Sequence, residues 1–355
     1  MKWRRLPLGI VGAAALGAGL WGGLIRIGWS WSVPSPAWIA WHGPLMVCGF
    51  LGTLIGLERA VALGKRWGYA APIFSALGAA ALLLSARAAP FLFSAASLAF
   101  LAVTTAFLQR QRADFLVAGM LGAAAWVAGN LRWALDGTIV EAVPSWMAFL
   151  VLTIAAERLE LSRLVQHSRF AHRAFGGITL VWFVVAVLPL AAAEPVCAIA
   201  LGATAVWLWR YDIARWTVRS HGLARYAALA LLGGYAWLAV AAAGLIAAAP
   251  GMVGLHYDAI LHAVFVGFVF SMIFAHAPII LPAVLGVQVD YHAALSVPLV
   301  VLHSGVILRL LGDWLPQAAL RRWGGLTSAI AIVLYVAIAG ASRLRATSKR
   351  MPPTA

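Results

Sequence analysis

Two histidines lie near the same end of two long apolar segments, where they could together hold a metal-centred cofactor. His42 begins one segment and precedes Gly49 by seven residues, and His262 precedes Gly267 by five residues. If the glycines are equivalent, the two imidazoles differ by only about 3 Å in depth. Each neutral ring can give one nitrogen to iron, so the pair suits a bis-imidazole haem. The alternative is that each ring bonds only water or a carbonyl at the membrane interface.

A second set of ionisable residues repeats along the chain. Three segments carry a phenylalanine, an isoleucine five residues later and an ionisable residue eight residues later: Phe50, Ile55 and Glu58; Phe149, Ile154 and Glu157; Phe268, Ile273 and His276. Glu58 and Glu157 are 99 residues apart, and His276 follows after a further 119. The spacing predicts a pseudo-threefold arrangement of four-helix repeats at about 1–110, 111–223 and 224–341, with the three ionisable residues at similar depth.

The chemistry of that second set has three interpretations. His276 with the carboxylates of Glu58 and Glu157 would be a reasonable ligand set for iron or zinc. Alternatively, Arg59 and Arg158 pair with the carboxylates and lock three helices together near the membrane boundary. A proton access point is the third interpretation.

A further histidine lies in the middle of an apolar segment. His303 is flanked by Leu302 and Ser304, and a histidine at that depth should have a partner. It could support the haem ligands, bind a second cofactor, carry protons or donate a structural hydrogen bond to a carbonyl. We expect His256 to be interfacial, and we expect three loop histidines to face solvent: His167, His172 and His221.

The composition requires a membrane to accommodate these segments. Of 355 residues, 63% are hydrophobic and only 10% are charged, against about 25% charged in ordinary soluble proteins. We predict an all-α polytopic membrane protein with about twelve transmembrane helices, each of roughly 20 apolar residues, at 7–27, 38–63, 69–86, 90–108, 114–134, 144–163, 174–192, 195–210, 224–248, 257–282, 293–311 and 324–341. Residues 1–341 would form one integral membrane domain and 342–355 a basic disordered tail.

The net charge of +15 lies mainly in one set of connections. The positive-inside rule therefore predicts a multi-pass protein with both termini in the cytoplasm. Because the charge follows the topology, it does not indicate nucleic acid as a partner. The partner expected from composition is the lipid bilayer. The first segment is long and lacks a clear cleavage site, so we interpret it as a retained span rather than a signal peptide.

Two segments resemble a known family. The NnrS family comprises haem- and copper-associated bacterial membrane proteins linked to nitric oxide and nitrosative stress. Its second helix carries a Trp-His-x-His-Glu-Met-x-x-Gly-Phe-x-x-x-x-Ile pattern, which these residues match in register: Trp41, His42, Met46, Gly49, Phe50 and Ile55. Its tenth helix resembles the segment that carries His262, Ala263, Gly267, Ser271 and Met272. The layout is also distantly similar to subunit I of the haem-copper oxidases.

The resemblance implies a haem-b-binding protein of the bacterial inner membrane with His42 and His262 as ligands. It implies redox or electron-transfer activity or a nitrosative-stress role, with nitric oxide or another small molecule and a respiratory-chain component as partners, and it allows copper. The sequence departs from the family where Pro44 and Leu45 replace its second histidine and its glutamate. The sixth and seventh segments contain no histidine, so reduction of oxygen or nitric oxide at a haem-copper centre is poorly supported.

Two other classes of protein remain open at this stage. One is a membrane transporter without a cofactor that uses Glu58, Glu157 and His276 for its substrate or for protons. Equivalent helices of the predicted repeats are four helices apart, and an even number keeps them in the same direction across the membrane. This favours parallel repeats over the inverted repeats of many transporters. The other is a structural or assembly subunit of a respiratory complex.

Overall fold

The computed structural model describes residues 5–84, 86–165, 167–248, 254–284 and 291–348. Within these residues no strand occurs, and twelve helices are long and apolar enough to cross a bilayer. They are α1 (Leu6–Arg26), α2 (His42–Leu63), α3 (Arg66–Leu84), α4 (Ala89–Arg110), α5 (Asp114–Asp136), α6 (Ile139–Leu161), α7 (Arg169–Val187), α8 (Leu190–Tyr211), α9 (Gly222–Ala247), α10 (Gly254–Val284), α11 (Ala293–Trp314) and α12 (Ala318–Ser348). The prediction of an all-α, multi-pass membrane protein is confirmed.

Several helix ends differ from the sequence prediction because polar residues extend a helix beyond its apolar part. α7 begins at Arg169 rather than 174, since the side chain of Ser168 accepts a hydrogen bond from the Ala171 amide and caps the helix. α12 continues to Ser348. The helix therefore covers residues 342–348 of the predicted disordered tail, and the remainder of that tail lies outside the described residues.

Consecutive helices run in opposite directions, which separates two ends of the bundle. We call the end formed by the connections at 64–65, 111–113, 162–168 and 212–221 the basic end, because most loop arginines lie there. The other end we call the opposite end. The basic residues Lys2, Arg4, Lys349 and Arg350 lie outside the described residues.

The helix α6 lies in the interior of the bundle. Its most apolar 18-residue window is 78% buried, a larger share than in any other span of the described residues. It packs against α5, α7 and α8, and Trp146, Met147 and Phe149 on successive faces are all buried. A helix that is apolar all round belongs inside a bundle, so α6 is the element around which its neighbours pack.

One buried asparagine connects four helices. Asn130 of α5 is the only asparagine of the chain and is fully buried. Its Nδ2 donates to the Phe93 carbonyl of α4 at 2.9 Å, and its Oδ1 accepts from Trp146 Nε1 of α6 at 2.9 Å and from Cys48 Sγ of α2 at 3.4 Å. Lipid offers no hydrogen-bond partners, so these contacts fix the relative positions of α2, α4, α5 and α6.

The two histidine-bearing helices share an irregularity. In α2 the residues Leu45–Leu51 form a π-helical segment, and in α10 the residues Ala263–Phe268 do the same. Within the described residues π-helical geometry occurs in these two segments alone. Each segment follows its histidine within three residues, and such segments occur frequently at functional sites. The equivalent stretch of α6 is regular α-helix.

We expect Asn130→Leu to lower the thermal stability of the protein, because it leaves the Trp146 indole N–H without a partner and removes the interhelix hydrogen bond to the Phe93 carbonyl. The lost hydrogen bonds predict a destabilisation of about 1–3 kcal/mol, measured as a lower midpoint of thermal unfolding in detergent. Gln111→Leu removes an exposed amide at the basic end and serves as the control. Equal midpoints for the two variants would contradict the prediction.

Candidate functional site

The two predicted ligand histidines line one cavity near the opposite end. His42 of α2 and His262 of α10 face a space of about 60 Å³, together with Met46 and Val266 one turn further along the same two helices. The remaining wall comes from α1, α11 and α12. The tertiary structure thus brings together two imidazoles that are 220 residues apart in the sequence.

Both imidazoles are oriented by backbone carbonyls. His42 Nδ1–H donates to the Gly19 carbonyl at 2.6 Å, and His262 Nδ1–H donates to the Asp258 carbonyl at 2.7 Å. A carbonyl only accepts hydrogen bonds, so each neutral ring carries its proton on Nδ1 and presents a bare Nε2. Neither Nε2 has a hydrogen-bond partner among the described residues.

Close backbone packing also fixes the His42 ring. An added Cβ at Gly23 of α1 would lie 2.7 Å from Nδ1 and from Cε1 of His42, which is closer than non-bonded atoms approach. The ring therefore lies directly on the α1 backbone, in a place that no residue larger than glycine could share.

A buried charge network that the sequence analysis missed supports His262. Asp258 pairs with Arg309 of α11 and Arg321 of α12, and Asp313 pairs with the same two arginines at 3.1 and 2.7 Å. Asp313 is completely buried. The sequence does contain a signal, because Asp258 and Arg309 both lie within predicted spans, where charged residues need partners. Asp258 is also one turn before His262 on the same face of α10.

The structure does not bring His303 to the histidine cavity. Its Nδ1 accepts a hydrogen bond from Trp237 Nε1 of α9 at 2.8 Å, so the partner expected for a mid-span histidine is an indole on the neighbouring helix. His256, which we expected at the interface, stacks on Trp314 with ring centroids 4.2 Å apart. Neither histidine lines the space between His42 and His262.

A larger cavity lies deeper in the bundle, towards the basic end. It has a volume of about 370 Å³, and α1, α2, α6, α10 and α12 form its mostly apolar walls. Glu58, Glu157 and His276 all line it, so the tertiary structure gathers the three ionisable residues that the sequence repeat singled out.

The arginines beside these residues pair across helices rather than with their own neighbours. Arg59 of α2 forms an ion pair with Glu157 of α6. Arg158 of α6 donates to Nε2 of His276 in α10 at 3.1 Å. Each arginine therefore contacts the ionisable residue of the next repeat. The first contact joins α2 to α6, and the second joins α6 to α10.

Arg158 has a second partner that extends the network. Its Nε and Nη2 donate to the two carboxylate oxygens of Asp212 at 2.7 and 2.9 Å. Both side chains are buried, and Asp212 also accepts from the Ala214 amide at 2.6 Å. This bidentate pair anchors the end of α8 to α6.

The geometry gives no support to the metal interpretation of Glu58, Glu157 and His276. Both nitrogens of His276 are engaged, because Nδ1–H donates to the Met272 carbonyl at 2.8 Å and Nε2 accepts from Arg158. Across the described part of the chain, no group of three or more histidine, cysteine or acidic side chains has metal-binding geometry.

The loop histidines at the basic end differ from one another. His221 is exposed, and His172 is exposed with its Nδ1 2.8 Å from Asp114 Oδ2. His167 is partly buried, with ring centroids 6.0 Å from His172 and 6.2 Å from Trp207. Desolvation, followed by the charge of His172, lowers the pKa of His167, so this ring is less open to solvent than those of the other two loop histidines.

Comparison with known proteins adds a family but no activity. The sequence profile of a family described as "Domain of unknown function (DUF8744)" matches residues 5–344, so the chain belongs to this family. No curated protein and no solved structure matches the chain.

We expect Asp212→Leu to destabilise the protein strongly, because it leaves the buried Arg158 guanidinium without its carboxylate. Removing one partner of a buried ion pair costs about 3–5 kcal/mol. The midpoint of thermal unfolding should fall well below that of Asp114→Leu, which removes an exposed carboxylate of the same end. If both variants unfold at the same temperature, Arg158 does not depend on Asp212.

Proposed function

We propose that this protein is a haem-b-binding membrane protein of the NnrS type, with His42 and His262 as the two axial ligands. It would act in electron transfer or in protection against nitric oxide. The observation that carries the proposal is that the two histidines line one cavity and each has a bare Nε2. The match of both helices to the family motifs and the shared π-helical segments support it.

The chain's own residues would prepare the ligands. The carbonyls of Gly19 and Asp258 fix the tautomer of each ring and make Nε2 a better donor to a metal. The Asp258 carboxylate, with one oxygen 3.5 Å from His262 Nδ1, adds negative charge beside that ring. A bound haem supplies one-electron redox chemistry, with a potential that depends on these axial ligands.

The space available is a groove rather than a closed pocket. About 60 Å³ between the imidazoles is too small for a macrocycle, since ligand pockets typically measure 300–1,000 Å³. The 370 Å³ cavity continues the same groove one helical turn deeper, and Ile332 lines both spaces. A haem held by His42 and His262 would therefore extend beyond the space between the two imidazoles.

The charge distribution supports a proposal for the membrane orientation. We propose that the basic end faces the cytoplasm of a bacterium and that the protein resides in the inner membrane, with both termini inside. The histidine pair would then lie near the outer leaflet, within reach of a periplasmic or membrane-bound redox partner.

Purified protein should show the sharp Soret and α bands of low-spin haem b after reduction. His42→Ala and His262→Ala should each lose or broaden these bands, because one axial nitrogen is removed. The measurement is a reduced-minus-oxidised absorption spectrum together with haem content per chain. His256→Ala and His303→Ala, outside the cavity, should retain the wild-type spectrum.

The proposal fails if the folded protein is colourless after expression with added haem precursor, or if the His42→Ala and His262→Ala spectra match the wild type. Each variant needs a thermal unfolding curve, so that loss of the fold is separated from loss of the ligand.

A second candidate is transport without a cofactor. The observation that favours it is that Glu58, Glu157 and His276 line one 370 Å³ cavity. Proteoliposomes of a colourless protein should then conduct protons under an imposed potassium diffusion potential, as reported by a trapped pH dye. Glu58→Gln should abolish this conduction. Equal proton conduction by wild-type vesicles, Glu58→Gln vesicles and empty vesicles would exclude proton transport through this cavity.

A further inference from the structure

Near the basic end, the contacts of Arg59 and Arg158 with the next repeat form a series that is incomplete at one position. We call this series the charge relay. In the repeat register, Arg59 and Arg158 directly follow Glu58 and Glu157, and the residue that directly follows His276 is Ala277. Arg59 pairs with Glu157, and Arg158 pairs with His276. A third arginine at 277 would complete the relay by pairing with Glu58.

Glu58 therefore has no direct ion pair among the described residues, because the nearby Arg59 pairs with Glu157 instead. Among the described residues its carboxylate has no hydrogen bond and no ion pair, whereas Glu157 beside it has Arg59. Both Glu58 and Ala277 line the 370 Å³ cavity. An unpaired carboxylate beside apolar walls is unfavourable, and the small Ala277 side chain leaves space where a guanidinium would otherwise lie.

Two buried hydroxyls in the same cavity also lack partners. Thr53 of α2 is 1% exposed and Thr153 of α6 is 4% exposed, and both line the cavity. The Oγ1 atom of each has no hydrogen-bond partner, although buried polar groups are normally satisfied. Neither oxygen is accessible to solvent, so each threonine would need a different rotamer for its hydroxyl to contact a ligand in the cavity.

The cavity walls match an apolar body attached to that polar group. Phe50 and Phe270 lie on the cavity with nearly parallel rings, 6.2 Å between centroids and 17° between planes. Ala13 of α1 and Val336 of α12 line the cavity and are also exposed on the lateral surface of the bundle. A molecule dissolved in the bilayer could therefore reach the cavity between α1 and α12.

We propose that this cavity binds a lipid-soluble organic cation whose guanidinium or ammonium head takes the place of the missing arginine and pairs with Glu58. The apolar part would lie along Phe50 and Phe270, and the Thr53 and Thr153 hydroxyls could accept further N–H groups of the head after a change of rotamer. The proposal requires neither haem at the histidine pair nor transport across the membrane.

The test uses octylguanidinium, which carries the chemistry of the missing side chain on an apolar tail. Its neutral counterpart, octylurea, has nearly the same shape. Saturable binding to the full-length protein in lipid nanodiscs is measured by equilibrium dialysis. A charge-assisted hydrogen bond of this kind should make octylguanidinium bind about tenfold to a hundredfold more tightly than octylurea.

Three variants separate the proposal from non-specific partitioning. Glu58→Gln should lose the preference for octylguanidinium, whereas Glu160→Gln, a carboxylate outside the cavity, should retain it. Ala277→Arg should abolish binding and raise the thermal unfolding midpoint, because it supplies the missing cation internally. That stabilisation should disappear in the Glu58→Gln, Ala277→Arg double variant.

The proposal is overturned if octylurea binds as tightly as octylguanidinium, or if Glu58→Gln binds the cation like the wild type. In protein prepared without haem, His42→Ala should bind octylguanidinium like the wild type. A protein that loses its haem spectrum but keeps this binding therefore distinguishes failure at the histidine pair from failure at the cation site.

Discussion

Each ionisable side chain inside this helix bundle must be satisfied by another helix, because lipid can solvate neither a charge nor an unpaired hydrogen-bonding group. This constraint explains why the polar residues of the interior occur in groups. Asp258 and Asp313 share two arginines from α11 and α12 at the opposite end. Arg158 divides its donors between Asp212 and His276 near the basic end.

The same constraint makes the unpaired carboxylate of Glu58 informative. The pairing of Arg59 with Glu157 and of Arg158 with His276 follows the repeat register from α2 to α6 to α10. Where the register reaches Ala277, the pairing stops and Glu58 faces a cavity. A residue left unpaired in an otherwise satisfied network is a better indication of a ligand than a cluster of charges, because the network shows what partner would be expected there.

The two candidate sites occupy one groove between α1, α2, α10 and α12. Met46 and Val266 line the upper space, and Phe50 and Phe270 line the lower space one turn further along the same helices. The π-helical segments of α2 and α10 lie at this transition, with Leu45–Leu51 and Ala263–Phe268 spanning it. A π-helical turn contains about one residue more than an α-helical turn, so it rotates the following part of the helix about its axis. The histidine site and the Glu58 site can therefore lie on different faces of α2 and α10.

The sequence by itself determined the class of fold, because twelve apolar segments of spanning length have few alternatives to a helical bundle. It also singled out His42 with His262, and Glu58 with Glu157 and His276, since periodicity and depth along a helix are local properties. The repeat boundaries at about 110 and 223 stay a prediction. Hydropathy placed some helix ends wrongly, as at Arg169 and beyond residue 341, because capping and polar helix turns carry no apolar signal.

Only the tertiary structure decided which partner each polar group has. The sequence predicts only that Arg59 and Arg158 pair with carboxylates. The structure shows which partners they have, and these lie on other helices, because adjacent residues on a helix point in different directions. The sequence could not show that Asn130 joins four helices, that His303 belongs to Trp237, or that Asp258 and Arg309 support the histidine pair. Those facts depend on which helix faces meet, and packing of the whole bundle sets them.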